Sequence, residues 1–259
     1  MRVIAFANQK GGVGKTTSCV NLSICLSQSG RRVLLVDMDP QANATVYLGM
    51  NSGERTYTSR FLLDSPHFDL ERAIVRTESG IDVIPSDRKL LESNKTLLPE
   101  YGRETRLRDK LENYAEGFSP REYDYVLVDC APSLDLVTIN ALMAATDLVV
   151  PVQPRFFALK GLEELASMVG ELYRTLNPRV KVMGIIITMF DKTAALDKSI
   201  LELLKGKVER EFGSYIFPSV IYKSVLVSES EKRLPVVLHD PEAPASKAYQ
   251  EIAAEIMRR

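Results

Sequence analysis

The sequence lacks the means for a disulfide framework. Its three cysteines, Cys19, Cys25 and Cys130, lie in apolar surroundings without paired spacing, which fits reduced, buried thiols in a reducing compartment. An excess of one charge is also missing, since the formal net charge is −1 over 259 residues. No overall basic field favours nucleic acid, so any such binding must rest on a local patch. No apolar run approaches the roughly 18 residues that a membrane span needs. Met1 to Ala7 run straight into a strand pattern instead of a charged segment followed by a cleavable apolar one. Repeats, low-complexity tracts and interdomain linkers are absent as well. The expectation from these absences is a cytoplasmic protein that does not engage the membrane.

What is present is a hydrophobic content of 45% beside 26% charged residues, enough for one large, well-buried domain over residues 1–259 and too little chain for two. Apolar runs alternate with amphipathic ones, the pattern of parallel strands buried on both faces and covered by helices. Strands are expected near Val3–Ala7, Val33–Asp37, Ile81–Pro85, Tyr125–Asp129, Leu148–Pro151 and Val182–Thr188, with a short one near Tyr215–Val220. Helices are expected at Lys15–Gln28, Arg103–Tyr114, Leu134–Ala144, Gly161–Leu176, Leu196–Phe212 and Ala245–Met257. Asn51–Glu78 has weak periodicity and reads as an excursion from the sheet. The fold class is α/β: a single-domain, doubly wound, mostly parallel sheet with helices on both faces.

The strongest local signal is Gln9-Lys10-Gly11-Gly12-Val13-Gly14-Lys15-Thr16-Thr17, set between an apolar strand and an amphipathic helix. Glycines let the backbone curl so that successive N–H groups point at phosphate oxygens, and the following helix adds its positive end. The run and its setting are what a phosphate-binding P-loop requires. Lys15 is placed to reach the β- and γ-phosphates and the Thr16 hydroxyl to coordinate Mg²⁺. The run departs from the general pattern at its first glycine, which is Gln9 here, and an additional lysine, Lys10, opens the loop.

Two further strands end in carboxylates. Val33-Leu34-Leu35-Val36-Asp37-Met38-Asp39 presents Asp37 and Asp39 at the carboxyl end, where ligands sit in open α/β sheets, and their spacing puts both on one face. Phosphoryl transfer requires one carboxylate near Mg²⁺ and another near the attacking water. The spacing supplies both carboxylates, Asp37 and Asp39, without deciding which serves the metal and which the water. Tyr125-Val126-Leu127-Val128-Asp129 has the form of a Walker B strand, with Asp129 on the metal's water shell.

KGGVGKTT, from Lys10, resembles the deviant Walker A motif of the ParA/MinD family. VDMDPQANAT resembles that family's switch region, and DCAPSL, Asn140-Ala141-Leu142, PVQPRFFALKGL and TMFD resemble further stretches of its ParA/Soj branch. The resemblance spans nearly the whole chain. It implies an ATPase that binds ATP and Mg²⁺, with Lys10 reaching across an ATP-sandwiched homodimer and Lys10, Lys15 and Asp39 serving catalysis. It implies a nucleotide site of Lys10, Gly11, Gly12, Val13, Gly14, Lys15, Thr16, Thr17, Met189, Tyr222 and Ser224, and a metal site of Thr16, Asp37 and Asp129. It further implies non-specific DNA as the track, which would make the ATP-bound form nucleoid-associated, and a ParB-like activator protein that stimulates slow hydrolysis. A protein assembly as cargo, and a MinD-like membrane ATPase, remain open alternatives. The chain is expected to carry neither an N-terminal helix-turn-helix nor a membrane-targeting tail, because Arg259 follows a core-like helix directly. One departure stands out: Val220-Ile221-Tyr222-Lys223-Ser224-Val225-Leu226-Val227-Ser228-Glu229 occupies the place of the branch's arginine-bearing adenine and DNA segment. The candidate DNA patch is therefore Lys192, Lys198, Lys223, Lys232, Arg233 and Lys247, with lysine acting as a point charge without the guanidinium fork.

Overall fold

Strand alternation decides the layering. In β1 (Arg2–Phe6), Val3 and Ala5 enter one buried cluster while Ile4 and Phe6 enter another. The same division holds for Leu34 and Val36 against Val33 and Leu35 in β2 (Val33–Met38), and for Val126 and Val128 against Tyr125 and Leu127 in β5 (Tyr125–Cys130). A strand that buries both faces must be covered on both, so helices lie above and below the sheet. This computed structural model describes residues 1–51, 56–117, 122–155, 158–175, 177–212, 215–230 and 234–259.

Between β1 and β2 runs α1 (Lys15–Gln28), and after β2 come α2 (Asn43–Tyr47), α3 (Ser59–Asp64), a 3-10 turn at Leu70–Ala73, β3 (Val75–Arg76) and β4 (Asp82–Ile84). α4 (Leu90–Thr96) and α5 (Arg106–Glu116) precede β5, and α6 (Leu136–Ala144) leads to β6 (Asp147–Val152). α7 (Ala158–Thr175), β7 (Lys181–Ile187), α8 (Ala195–Phe212), α9 (Val225–Ser230), α10 (Val236–His239) and α11 (Pro244–Arg258) complete the order. Among the described residues one sheet forms, in the order β3-β4-β2-β5-β1-β6-β7, parallel except for the β3–β4 pair. Helices α1, α10 and α11 cover one face, with Leu22, Val236 and Tyr249 in its core. Helices α3 to α8 cover the other, with Leu62, Leu107, Val137 and Leu204. No described helix is long and apolar enough to cross a membrane.

The doubly wound expectation holds, and the expected strands and helices up to β7 correspond to observed ones. The expected strand at Tyr215–Val220 does not form as such. The segment touches the sheet edge through two isolated bridges, Ile185 to Ile216 and Phe190 to Tyr222. Pro218 lies between them and has no N–H to give to a ladder, so pairing breaks there. The excursion after β2 contains α3 and the 3-10 turn and returns as the antiparallel edge strand β3; its residues 52–55 lie outside the described part.

Candidate active site

The central strands carry the site at their carboxyl ends. Asp129 of β5 lies in register with Phe6 of β1 on one side and with Asp37 of β2 on the other. Both carboxylates share the parity of the residues facing α1, so the helix that begins at Lys15 comes down on top of them. The Thr16 hydroxyl donates to Asp129 Oδ2 at 2.7 Å.

The loop before α1 needs its glycines. Gly12 and Gly14 adopt φ of +70° and +81°, in the left-handed region where a Cβ is strained. A Cβ on Gly14 would also stand 3.6 Å from Thr188 Cγ2 and 3.9 Å from Met189 Cε. Thr188 fixes this approach by donating its hydroxyl to the Val13 carbonyl at 2.8 Å. On the other side Asn8 donates to the Pro151 carbonyl at 2.8 Å and accepts the Lys10 N–H at 3.0 Å. Sequence reasoning passed over both Asn8 and Thr188. An asparagine where an apolar strand turns into a glycine loop is a signal for Asn8, because its side chain can hold the next backbone N–H.

Helix α1 starts with no side-chain cap and no acidic residue in its first turn, so its positive end is left for an anion. The Lys15 ammonium donates to the Lys10 carbonyl at 3.1 Å. Burial lowers the Lys15 pKa, and neighbouring Asp129 pulls it back up. Gly11, Gly12, Gly14, Lys15, Thr16 and Thr17 line a cavity of ≈ 510 Å³ together with Asp39, Gln41, Asn43, Val46, Tyr47, Pro132 and Met189.

The carboxylates beneath have distinct partners. Asp129 is fully buried, and its Oδ1 has no hydrogen-bond partner among the described residues. Desolvation, with Asp37 nearby, pushes its pKa well up. A buried carboxylate oxygen without a donor, next to a threonine hydroxyl, is a donor set that suits a hard cation completed by phosphate oxygens and water. No described group of three or more His, Cys, Asp or Glu side chains forms a cage that could hold a metal unaided. Asp37 departs from its expected place in the metal shell. Its Oδ1 accepts the Asp39 N–H at 3.1 Å, and its Oδ2 accepts both the N–H and the hydroxyl of Thr45 at 2.9 and 2.7 Å. These bonds direct the carboxylate into the switch segment, and it does not line the cavity. Burial pushes its pKa up to about 6. Asp39 does line the cavity and accepts the Gln41 N–H at 2.8 Å.

Other expected residues fall outside the cavity wall. The Lys10 side chain is exposed and its carbonyl serves Lys15. Tyr222 packs on Phe190, ring centroids 6.0 Å apart, with the Lys192 ammonium 4.1 Å from its own centroid; neither Tyr222 nor Ser224 lines the cavity. Met189 does, from a left-handed backbone at φ 51°. Of the candidate DNA contacts, Lys192 and Lys223 meet at this corner, where the Lys223 N–H donates to the Phe190 carbonyl at 3.0 Å. Lys198 is exposed on α8. Lys247, on α11, pairs with Glu242 at 2.9 Å, with both side chains largely exposed. Lys232 and Arg233 lie outside the described residues.

Comparison with known proteins places this geometry. The AAA_31 family profile, an AAA domain, matches residues 1–182. The chromosome partitioning protein ParA of Caulobacter vibrioides is 40% identical over 264 residues, covering 100% of this chain and 95% of that protein. The sporulation initiation inhibitor protein Soj of Bacillus subtilis is 38% identical over 258 residues, covering 98% of each. Among solved structures, a cobyrinic acid a,c-diamide synthase of Mycobacterium smegmatis with bound ATP analogue and magnesium superposes with a TM-score of 0.84 at 29% identity, over 100% of this chain and 95% of the other. With its glycine loop, strand-end carboxylates and full-length likeness to partitioning proteins, the chain belongs to the AAA_31 family of P-loop ATPases, in its ParA/Soj group.

Proposed function

We propose that this chain is a nucleotide-operated DNA-partitioning switch, cytoplasmic and nucleoid-associated in its ATP state: it binds ATP, closes as a homodimer, holds non-specific DNA, and lets go when a ParB-like partner stimulates slow hydrolysis. The observation that carries the reading is the Thr16–Asp129 pair with its partnerless Oδ1, set beneath a glycine loop and an uncapped helix end. Thr16 and Asp129 would hold magnesium, which when bound neutralises β- and γ-phosphate charge. Gly11 to Thr17 cradle the phosphates through backbone N–H groups, and Lys15 exchanges the Lys10 carbonyl for a phosphate oxygen. Asp39, on the cavity wall, orients the attacking water. Lys10, exposed at the mouth, neutralises phosphate on the partner's nucleotide. Dimerisation doubles a weak basic patch around Lys192 and Lys223 and raises its affinity through effective concentration.

The fold likeness to a biosynthetic enzyme favours a second reading, an ATP-dependent metabolic catalyst. The higher identity to ParA and Soj over the full chain supports partitioning instead. The deciding experiment is a salt-titrated DNA-binding assay with ATP, ADP or no nucleotide, run beside sedimentation of wild type and Lys10→Ala. The expected result is ATP-dependent, salt-sensitive DNA binding by a dimer that Lys10→Ala abolishes while keeping nucleotide affinity. DNA binding indifferent to nucleotide, or a normal dimer from Lys10→Ala, would reject the scheme.

A further inference from the structure

Asp39, Gln41, Asn43, Val46 and Tyr47 build one wall of the cavity, and most of that wall is the five-residue helix α2 with its approach. A helix of this length has no stability of its own in water, and α2 has no side-chain N-cap. Its approach includes Ala42 at φ 55°, a left-handed backbone for a residue with a Cβ, which persists only where surrounding structure imposes it. Something outside the helix must therefore hold it.

The hydrogen bonds converge on Thr45. It is fully buried, and its hydroxyl donates to Asp37 Oδ2 at 2.7 Å while accepting the Ser86 N–H at 2.9 Å. Its backbone N–H reaches the same Asp37 oxygen at 2.9 Å. From there the ring closes on the cavity: Asp37 Oδ1 holds the Asp39 N–H, Asp39 holds the Gln41 and Ala42 N–H groups, and the Ala42 carbonyl holds the Val46 N–H. One hydroxyl thus joins the end of β2, the residue two beyond β4 and the switch helix.

We propose that Thr45 is a positioning residue that ties the cavity wall of residues 39–47 to Ser86 and so sets where Asp39 stands relative to Lys15 and Thr16. It does not line the cavity, and it acts through Asp37 and Asp39. The kinetic part of its test rests on the ATP hydrolysis proposed above, while the structural part does not.

Thr45→Val keeps the shape and removes the hydroxyl, and Thr45→Ser keeps the hydroxyl. In the nucleotide-free full chain, amide exchange in peptides spanning 39–48 and 84–88 should quicken by about tenfold or more in Thr45→Val, while Thr45→Ser stays within about twofold of wild type. In steady-state ATP hydrolysis, Thr45→Val should lose about tenfold or more in kcat with KM changed less than about threefold, and Thr45→Ser should restore it. Unchanged exchange in Thr45→Val overturns the proposal. So does a kcat loss that only tracks the folded fraction, or one that Thr45→Ser fails to restore. Should Thr45→Val not fold, Thr45→Ala, with two methyl groups fewer than valine to accommodate, carries the same comparison. If wild type itself hydrolyses no ATP, the functional reading falls and the exchange data alone decide the role of Thr45.

Discussion

At the scale of single residues, burial sorts the reactive groups into those used and those silenced. Cys25 is pushed up to about 12 by burial, and Cys19 and Cys130 are likewise raised, desolvation being the first cause in each. A thiol held in that range presents almost no thiolate at neutral pH and does not react. Native protein at pH 8 should therefore leave all three thiols unlabelled by a chromogenic disulfide reagent, and denatured protein should release three equivalents. A fast native thiol would refute the packing around α1 or, for Cys130, around the end of β5. The cysteines were legible in the sequence because apolar neighbours alone imply burial. That the loop carrying Lys15 and Thr16 meets Asp129 was legible because a glycine loop and an apolar strand ending in aspartate each carry their own chemistry. Asp37 was not: strand parity places its carboxylate on the correct face, but parity says nothing about the Thr45 hydroxyl that arrives from eight residues further on to claim it. The surroundings of Tyr222 were illegible for a similar reason, since its neighbours Phe190 and Lys192 become visible only when the segment folds across the sheet edge.

At the scale of elements, long apolar strands were readable from their runs because both faces are buried, and α11 from its spacing; α1, expected to be amphipathic, is instead buried on every side from Thr17 to Leu26. Elements of two to seven residues such as β3, α2 and α4 were not, because too few turns or alternations exist to show a period and tertiary bonds hold them in place. The edge beside β7 illustrates the same limit. Gly184 pairs with Val149 where the β6–β7 register slips, and a Cβ there would stand 2.7 Å from Phe217 Cε2 and 3.2 Å from Tyr215 Cε1. Phe217 is buried against Tyr215, whose hydroxyl donates to Glu255 on α11 at 3.2 Å. The ring therefore has nowhere easy to go, and a glycine in a strand marks close approach. Gly184→Ala should cost about 1–3 kcal/mol in denaturant unfolding, the usual cost of overpacking, with nucleotide affinity unchanged because the strain sits at the outer edge of the sheet. Wild-type stability in that variant would show that the 215–222 segment yields freely and packs less tightly than its buried ring indicates.

At the scale of the whole molecule, a site built for a charged ligand is a weakness in its absence. Asp37 and Asp129 lie side by side in the centre of the sheet, and desolvation raises both, Asp37 from the ordinary 3.8 to about 6. For a carboxylate whose folded pKa lies above its unfolded one, the native state holds a proton that the unfolded chain has already released. Stability then declines as pH rises through the window from about 3.8 to about 6 for Asp37, and declines further where Asp129, raised well above its ordinary range, gives up its proton. A cation and phosphate bound over Asp129 would offset that cost, and the offset would be largest where both carboxylates are charged. Thermal melts of nucleotide-free protein should accordingly show Tm falling by several degrees between about pH 4 and about pH 6.5, and magnesium ATP should raise Tm more at the higher pH. Asp129→Asn removes one of the paired charges while keeping an oxygen for the Thr16 hydroxyl. It should raise the nucleotide-free Tm at pH 7.5, flatten the pH dependence and abolish the magnesium contribution. A variant that melts lower than wild type at pH 7.5 without nucleotide would mean that Asp129 is already compensated by Lys15, and that the central carboxylates are not waiting for a cation.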